Sequence, residues 1–550
     1  SASSMIVRRL AAGVLAFGLL ATSACSRVGD TGSSSGGRHP WTIPNVVRIG
    51  YSDEPDSLNQ LFSHTAATDE VANMLFAPVF RLDPQGELVP EMAREIPTYA
   101  NGGISRDNKT ITLRLRHGLQ WADGAPYDAR DIRFTWRAVM NPKNNTKLRL
   151  YWQNVTAMDL PDNDTVIIHL ATANAGAIYG MFAGCGGAAY APLPEHLLGK
   201  LPELNKAPFN AMPLSSGPFI LKAWNHGSSL ELVANDKYWR GKPKVERISW
   251  KVVPNADTLL SELRTHEIDV YDSVSETQIP ELPQLDGVAV GKRLIGNWRH
   301  LEFNTRKPGL DDVRVRLAIA QSVDWKHIND TIYHGYNQLA SSDIMPTSWA
   351  APTIPRYTFD PAAARRLLDT AGWKPGPGGV RIKNGVPLAF SISTGTNRPA
   401  NIQAEVQMQE LIKAVGIKLT IKNYPVSFLF AQTGPLYSGA FDMSWTIDTN
   451  GADPDNEGNW SGNFIPPHGT NTSYLADPQI TRLAHEATLT FDRAERKALY
   501  QQEEERIHAL VPAVFLYWEN DYTGYNSDLK GLRLASYIST LCWNSYEWSI

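Results

Sequence analysis

Residues 400–415, ANIQAEVQMQELIKAV, followed by Gly416 and then Ile417-Lys418-Leu419-Thr420-Ile421, read as a helix, a stop and a strand. The glycine ends the helix and the next five residues alternate as a half-buried strand does. Just downstream, Asp442-Met443-Ser444-Trp445-Thr446-Ile447 reads as another short strand, which Asn450-Gly451 then turns. Upstream, residues 360–372 (DPAAARRLLDTAG) place Asp360 at a helix N-cap, Pro361 at the first helical position and Gly372 just past the end. Working outward, strands are expected at 46–51, 111–115, 166–170, 248–253 and 513–518, with a hairpin of 219–224 and 229–233 joined at 225–228. Helices are expected at 67–76, from Asp128 onward, and at 256–265, 311–322, 478–490 and 493–510. Helix alternates with strand throughout, so the class is mixed α/β. The main internal boundary falls at about Gly296, where a new alternation begins.

At 550 residues the chain exceeds one compact core. Its net charge is −4 and its basic residues form no long runs, which argues against nucleic acid or an anionic membrane as an electrostatic partner. The 16 Trp, 20 Tyr and 17 Phe exceed ordinary core filling, so some rings are expected to line a wet cleft.

The amino end has the layout of a secretory leader: Arg8-Arg9, an apolar run over 10–24, then small residues before Cys25. Thr22-Ser23-Ala24-Cys25 resembles a bacterial lipobox, with Thr22 where Leu is commonest, so residues 1–25 are expected to be a signal peptide and Cys25 the lipidation site. Ser1 to Ser4 fit no targeting logic and are set aside. Residues 26–45 form a flexible tether, Gly/Ser-rich over 26–38. The other cysteines are Cys185 and Cys542, either one bridge or two separate buried thiols, and too few for a thiolate metal cluster.

The stretch Trp445-Thr446-Ile447-Asp448-Thr449-Asn450-Gly451-Ala452-Asp453-Pro454-Asp455 sets an aromatic ring and three carboxylates beside a turn. It is read as the place where a ligand is held; a solvated acidic loop beside an ordinary half-buried Trp is the alternative. Enzyme motifs fail on context. Gly32-Ser33-Ser34-Ser35-Gly36 matches a hydrolase elbow but lacks the strand before and the helix after. His266-Glu267 and His485-Glu486 lack the second His of a zinc helix, and the loop Gly184–Ala189 runs into Pro192 instead of a nucleotide-binding helix.

Several segments in order carry a family resemblance. They are residues 83–93 with Gly86-Glu87-Leu88-Val89-Pro90, residues 113–126 (LRLRHGLQWADGAP), Ser216-Gly217-Pro218-Phe219, Asn235-Asp236-Lys237-Tyr238-Trp239, Phe303-Asn304-Thr305, residues 312–318 (DVRVRLA) and the Trp445 stretch. Together, from Val46 to past Tyr525, they resemble the family 5 extracellular solute-binding proteins, the oligopeptide, dipeptide and nickel receptors of ABC importers.

The resemblance implies an α/β, two-lobed, type II periplasmic-binding-protein-like fold with a hinge, in the large form with an extra subdomain in lobe I. Lobe I is then 46–295 with 516–550, and lobe II is 296–515. Asp448, three residues after Trp445, takes the position that pairs with a peptide's α-ammonium. Arg398-Pro399 resembles the Arg-Pro of dipeptide receptors that can hold the carboxylate, with a surface Arg at a helix entrance as the alternative. Glu54 lies in the turn at the lobe I cleft edge and Thr446 beside Trp445, while Trp298 lies at the lobe crossing, where it is either a ligand-facing aromatic or a core residue. The function implied is an extracytoplasmic receptor that captures short peptides and delivers them to an ABC permease. It is expected to be a non-enzymatic, lipid-anchored monomer without metal or cofactor, and without a nucleic-acid partner. Another cargo in the same fold (oligosaccharide, opine-like conjugate or metal chelate) is the alternative. A secreted glycosidase using Asp448 and Asp453 ranks last.

Overall fold

In the computed structural model, which describes residues 37–63, 65–146, 149–183, 190–537 and 541–550, helix and strand alternate as the residue pattern requires. The expected leader, Cys25, the expected tether as far as residue 36, and Cys185 lie outside the described residues. Asp360 caps the helix Pro361–Thr370 through a bond from the Ala363 amide, and Asp128 and Asp131 form a reciprocal capping box on Ala129–Met140. The helix expected at 400–415 spans Pro399–Lys413, and the strand after Gly416 is Lys418–Ile421.

Among the described residues the main sheet has eleven strands. Ten run in the order Lys418–Ile421, Ala389–Ser393, Met443–Thr449, Val288–Phe303, Ala513–Asn526, Val270–Tyr271, Val46–Tyr51, Arg247–Val252, Ser229–Ala234 and Phe219–Asn225, and Gln338–Leu339 pairs on Ala513–Asn526. The first three are mutually parallel, as are Val270–Tyr271, Val46–Tyr51 and Arg247–Val252. A smaller antiparallel sheet of Thr110–Arg114, Thr165–Leu170 and Val155–Asp162 carries the helix Ala129–Met140.

Two strands differ from expectation. The boundary placed at Gly296 falls inside a single 16-residue strand, Val288–Phe303, and the strand expected at 513–518 continues to Asn526 for 14 residues. They pair antiparallel from Val288 opposite Asn526 to Glu302 opposite Ala513, with irregularities between Leu294 and Trp298 and between Arg299 and His300. Local alternation breaks at those bulges, so the sequence pattern resets although the backbone continues. This ribbon joins the two parallel parts of the sheet.

The core divides accordingly. One cluster gathers Val47, Ile49, Leu230, Leu232, Ile248 and Trp250, and a second is built from Leu301, Phe303, Ile319, Ile392, Met408, Leu419, Met443 and Tyr517. The aromatic surplus is largely spent here. Trp121, Trp152, Trp250, Trp298, Trp445, Trp518, Trp543 and Trp548 are all fully buried, so these rings fill cores rather than line a wet cleft. Cys542 is a buried thiol, and burial raises its pKa.

Candidate functional site

The strand Met443–Thr449 ends two residues later than the pattern suggested and so carries Asp448 within the sheet. It pairs with Val288–Phe303 so that Asp448 lies opposite Trp298, Thr446 opposite His300 and Ser444 opposite Glu302. Side chains alternate faces along a strand, so Trp445 and Asp448, three residues apart, point to opposite sides. Trp445 joins the second core cluster, edge-on to Tyr517 at 6.1 Å and beneath the Arg299 guanidinium at 5.1 Å.

On the other face stand Asp448, Thr446, Trp298, His300 and Glu302. Trp298 is also in the core, with ring centroids 4.4 Å from His300 and 5.4 Å from Phe515, and its indole N–H donates to Asn450 Oδ1 at 3.0 Å. Thr446 is buried, with Oγ1 3.5 Å from His300 Nε2. Glu302 accepts from Thr472 at 2.8 Å and lies 3.6 Å from His300 Nε2. His300 Nδ1 is buried without a partner among the described residues.

Asp448 itself is half-buried and forms no hydrogen bond or ion pair among the described residues. Burial pushes its pKa up to about 6; His300 opposes the rise, and the carboxylates of Glu302 and Asp343 add to it. Unpaired and partly dry, this acid gains most from an arriving cation.

A second acidic group lies behind it, and local sequence patterns gave no sign of it. Asp343, Glu503 and Glu504 are almost wholly buried, with Asn456 donating to Asp343 Oδ2 at 3.2 Å and Trp460 Nε1 to the same oxygen at 2.9 Å. Asn450 bonds the Asp343 carbonyl, which links this group to Trp298 and to the end of the strand Met443–Thr449. Among the described residues neither oxygen of Glu503 is within good hydrogen-bond geometry of a partner, and burial followed by the charges of Asp343, Asp455 and Glu457 raises its pKa well above the usual range, with Asn456 opposing the rise. No set of three acidic, His or Cys side chains among the described residues is arranged to hold a metal ion.

The other expected residues are committed locally. Arg398, just before the helix Pro399–Lys413, donates to Glu519 Oε1 at 3.0 Å and lies 3.7 Å from Glu276. It borders a cavity of about 110 Å³ with Tyr333, Tyr336 and Tyr517. One Glu54 oxygen accepts from Trp224 Nε1 at 2.8 Å and from the Gly227 amide at 2.9 Å, which clamps the 225–228 turn. Those bonds hold its pKa below the usual range, the Gly227 amide first. Asp453 pairs with Arg496 at 2.9 Å and 3.0 Å, and Asp455 accepts from the Glu457 amide, so both stabilise the turn.

Comparison with known proteins gives a consistent result. The model of bacterial extracellular solute-binding proteins, family 5 (middle), matches residues 87–470. The oligopeptide-binding protein AppA of Bacillus subtilis is 25% identical over 530 residues, 94% of each chain. Among solved structures, NikZ from Campylobacter jejuni in complex with Ni(L-His) superposes with a TM-score of 0.71 at 25% identity, covering 92% of this chain and 100% of its own. AppA from Bacillus subtilis in complex with a nonapeptide gives 0.68 at 22% identity, covering 92% and 98%.

Proposed function

We propose that this chain, which belongs to the bacterial extracellular solute-binding proteins of family 5, captures short peptides in a cleft and delivers them to the membrane subunits of an ABC importer. Its mixed α/β fold is that of the two-lobed type II binding proteins. The observation that carries the peptide reading is Asp448, a half-buried carboxylate with no partner among the described residues, which suits the α-ammonium of an extended peptide. No reaction is assigned, because Asp453, the second acid a glycosidase would use, is held by Arg496.

Lobe I comprises 46–295 and 516–550 and lobe II 296–515, with the paired strands Val288–Phe303 and Ala513–Asn526 as the two crossovers. The second core cluster is drawn almost wholly from lobe II, which supports this division, while Trp298, Trp460, Ile480 and Phe515 join the first cluster across it. Hinge closure about the ribbon then brings the lobes over the ligand. Arg398 takes the peptide carboxylate by exchanging its contact with Glu519 or Glu276 for the ligand. The mature chain works as a monomer outside the cytoplasm, anchored through a lipid on Cys25, and among the described residues no helix is long and apolar enough to cross a membrane.

A second reading, a metal chelate of an amino acid, is favoured by the similarity to the Ni(L-His) complex. An amine bound to a metal presents no ammonium, so the two readings separate at Asp448. Native mass spectrometry of protein purified without denaturation should show bound masses that fragment as short peptides. Asp448→Asn should weaken peptide binding by at least about tenfold, as loss of a charge-assisted bond does. Chelate masses, with affinity unchanged in Asp448→Asn, would establish the second reading instead.

A further inference from the structure

The connection between the helices Pro478–Glu486 and Arg493–Leu510 meets the residues that flank the small antiparallel sheet at three points, none of them made by a residue of the ligand site. The Ala175 amide donates to the Thr488 carbonyl at 2.7 Å. The Phe491 amide donates to Tyr99 Oη at 3.0 Å, and Tyr99 in turn donates to Asn108 Oδ1. Arg493 donates to Tyr179 Oη at 2.9 Å and pairs with Glu87 at 2.7 Å. Glu87, Tyr99, Ala175 and Tyr179 belong to lobe I, and Thr488, Phe491 and Arg493 to lobe II, so each of these contacts crosses the lobe boundary.

Local chemistry fixes where Arg493 stands. Asp492 caps the second helix through the Glu495 amide at 3.0 Å, which makes Arg493 its first residue. Arg493 and Arg496, three residues apart on one helix face, both lie over the Trp349 ring, at 4.8 Å and 5.3 Å. Arg496 also holds Asp453 in the turn that follows Asp448. One helix end therefore carries both the contact with lobe I and the clamp on the ligand loop.

The contacts surround a cavity of about 360 Å³ between Ile96, Tyr99, Ile178, Tyr179, Trp349 and Phe491. Polar bonds around a cavity part at little cost, because water replaces each bond and no packed core is opened. The Arg493–Glu87 pair is itself partly in water, with side chains 46% and 36% exposed. Bonds that exist only while the lobes are together stabilise the closed state and slow its opening, so they act on the release of a ligand rather than on its arrival. We propose that Arg493, through Glu87 and Tyr179, is a positioning residue that latches the lobes over a bound peptide and sets its residence time from outside the ligand site. This rests on the peptide reading and on the division of the chain into lobes.

The test is stopped-flow release of pentaalanine from the full mature chain, read by tryptophan fluorescence, in the wild type, Glu87→Arg, Arg493→Glu and the double exchange. Each single exchange replaces an attraction by a like-charge contact. It should speed release about threefold to tenfold and leave the association rate and the melting temperature unchanged, since both side chains are partly exposed. The double exchange should return release to within about twofold of the wild type. Unchanged release in the single exchanges would overturn the latch, and so would faster release that the double exchange does not restore or that comes with a lower melting temperature. Small-angle scattering keeps the readings apart. A radius of gyration that falls when pentaalanine binds, with release unchanged in the exchanges, overturns the latch and leaves the two lobes, whereas a radius that stays the same overturns the division into lobes as well. Failure of the wild type to bind pentaalanine would overturn this inference together with the peptide reading.

Discussion

Half-buried and unpaired, the Asp448 carboxyl titrates at about 6, raised first by burial and further by Glu302 and Asp343 against His300. An ammonium binds only its ionised form, and a peptide amine loses its charge above about 8. Peptide affinity is therefore expected to be bell-shaped in pH, falling about tenfold per unit on the acid limb. Calorimetry from pH 4 to 9 checks this, and Asp448→Asn should remove the acid limb; its persistence in the variant would assign the titration elsewhere. Glu503 poses the opposite case, a buried acid with no ligand to meet. Its folded pKa is raised, so the folded state holds a proton that the unfolded state releases, and stability from this group is lost as pH rises above the unfolded value of about 4.3. Glu503→Gln removes that loss. Urea midpoints should show the variant gaining on the wild type between pH 5 and pH 8, and a constant difference would count against the protonated reading.

At the scale of elements, the ribbon Val288–Phe303 with Ala513–Asn526 and the strand Met443–Thr449 meet at Gly296. The Gly296 carbonyl accepts from the Asn450 amide at 2.8 Å, and a Cβ on residue 296 would stand 2.4 Å from the Asn450 carbonyl oxygen. The backbones touch here, and only glycine leaves room. Gly296→Ala should displace Asn450 and loosen its bond to Trp298, costing about 1–3 kcal/mol, as overpacking does, and lowering peptide affinity. Unfolding and titration measure the two effects, and a variant of wild-type stability would show that the loop adapts freely. The sequence marked Gly296 as a boundary because periodicity changes there. It did not reveal the contact, because residue 450 is far along the chain and strand pairing is not written in local spacing.

Across the whole molecule, distant segments are fastened by buried polar junctions as well as apolar cores. Glu91 accepts from Arg81 and from Tyr238 at 2.8 Å, with Trp239 and Arg240 also on it, while Arg81 lies over the Tyr546 ring. Arg116 and Arg240 stack on Trp239 at 3.8 Å and 4.3 Å. Breaking such a junction strands a buried guanidinium, so Glu91→Ala should cost about 3–5 kcal/mol in urea unfolding while peptide affinity of the folded fraction is unchanged. A loss under 1 kcal/mol, the range of an exposed pair, would mean that water reaches the junction.

What the sequence alone determined is what short-range chemistry writes. Caps such as Asp128 and Asp360, the glycine after residues 400–415, and period-two runs such as Val46–Tyr51 placed most elements, and the order of motifs identified the family. Asp448 was singled out by its spacing from Trp445 in the family resemblance, since the local residues fit a solvated acidic loop as well. Tertiary structure decided the rest. It sent Trp445 and Asp448 to opposite faces, committed Glu54 and Arg398 to partners 170 and 121 residues away, and assembled Asp343, Asn456, Glu503 and Glu504 from separate segments. Burial and pairing depend on which strands become neighbours, and that is settled by the packing of the whole chain rather than by any window of it.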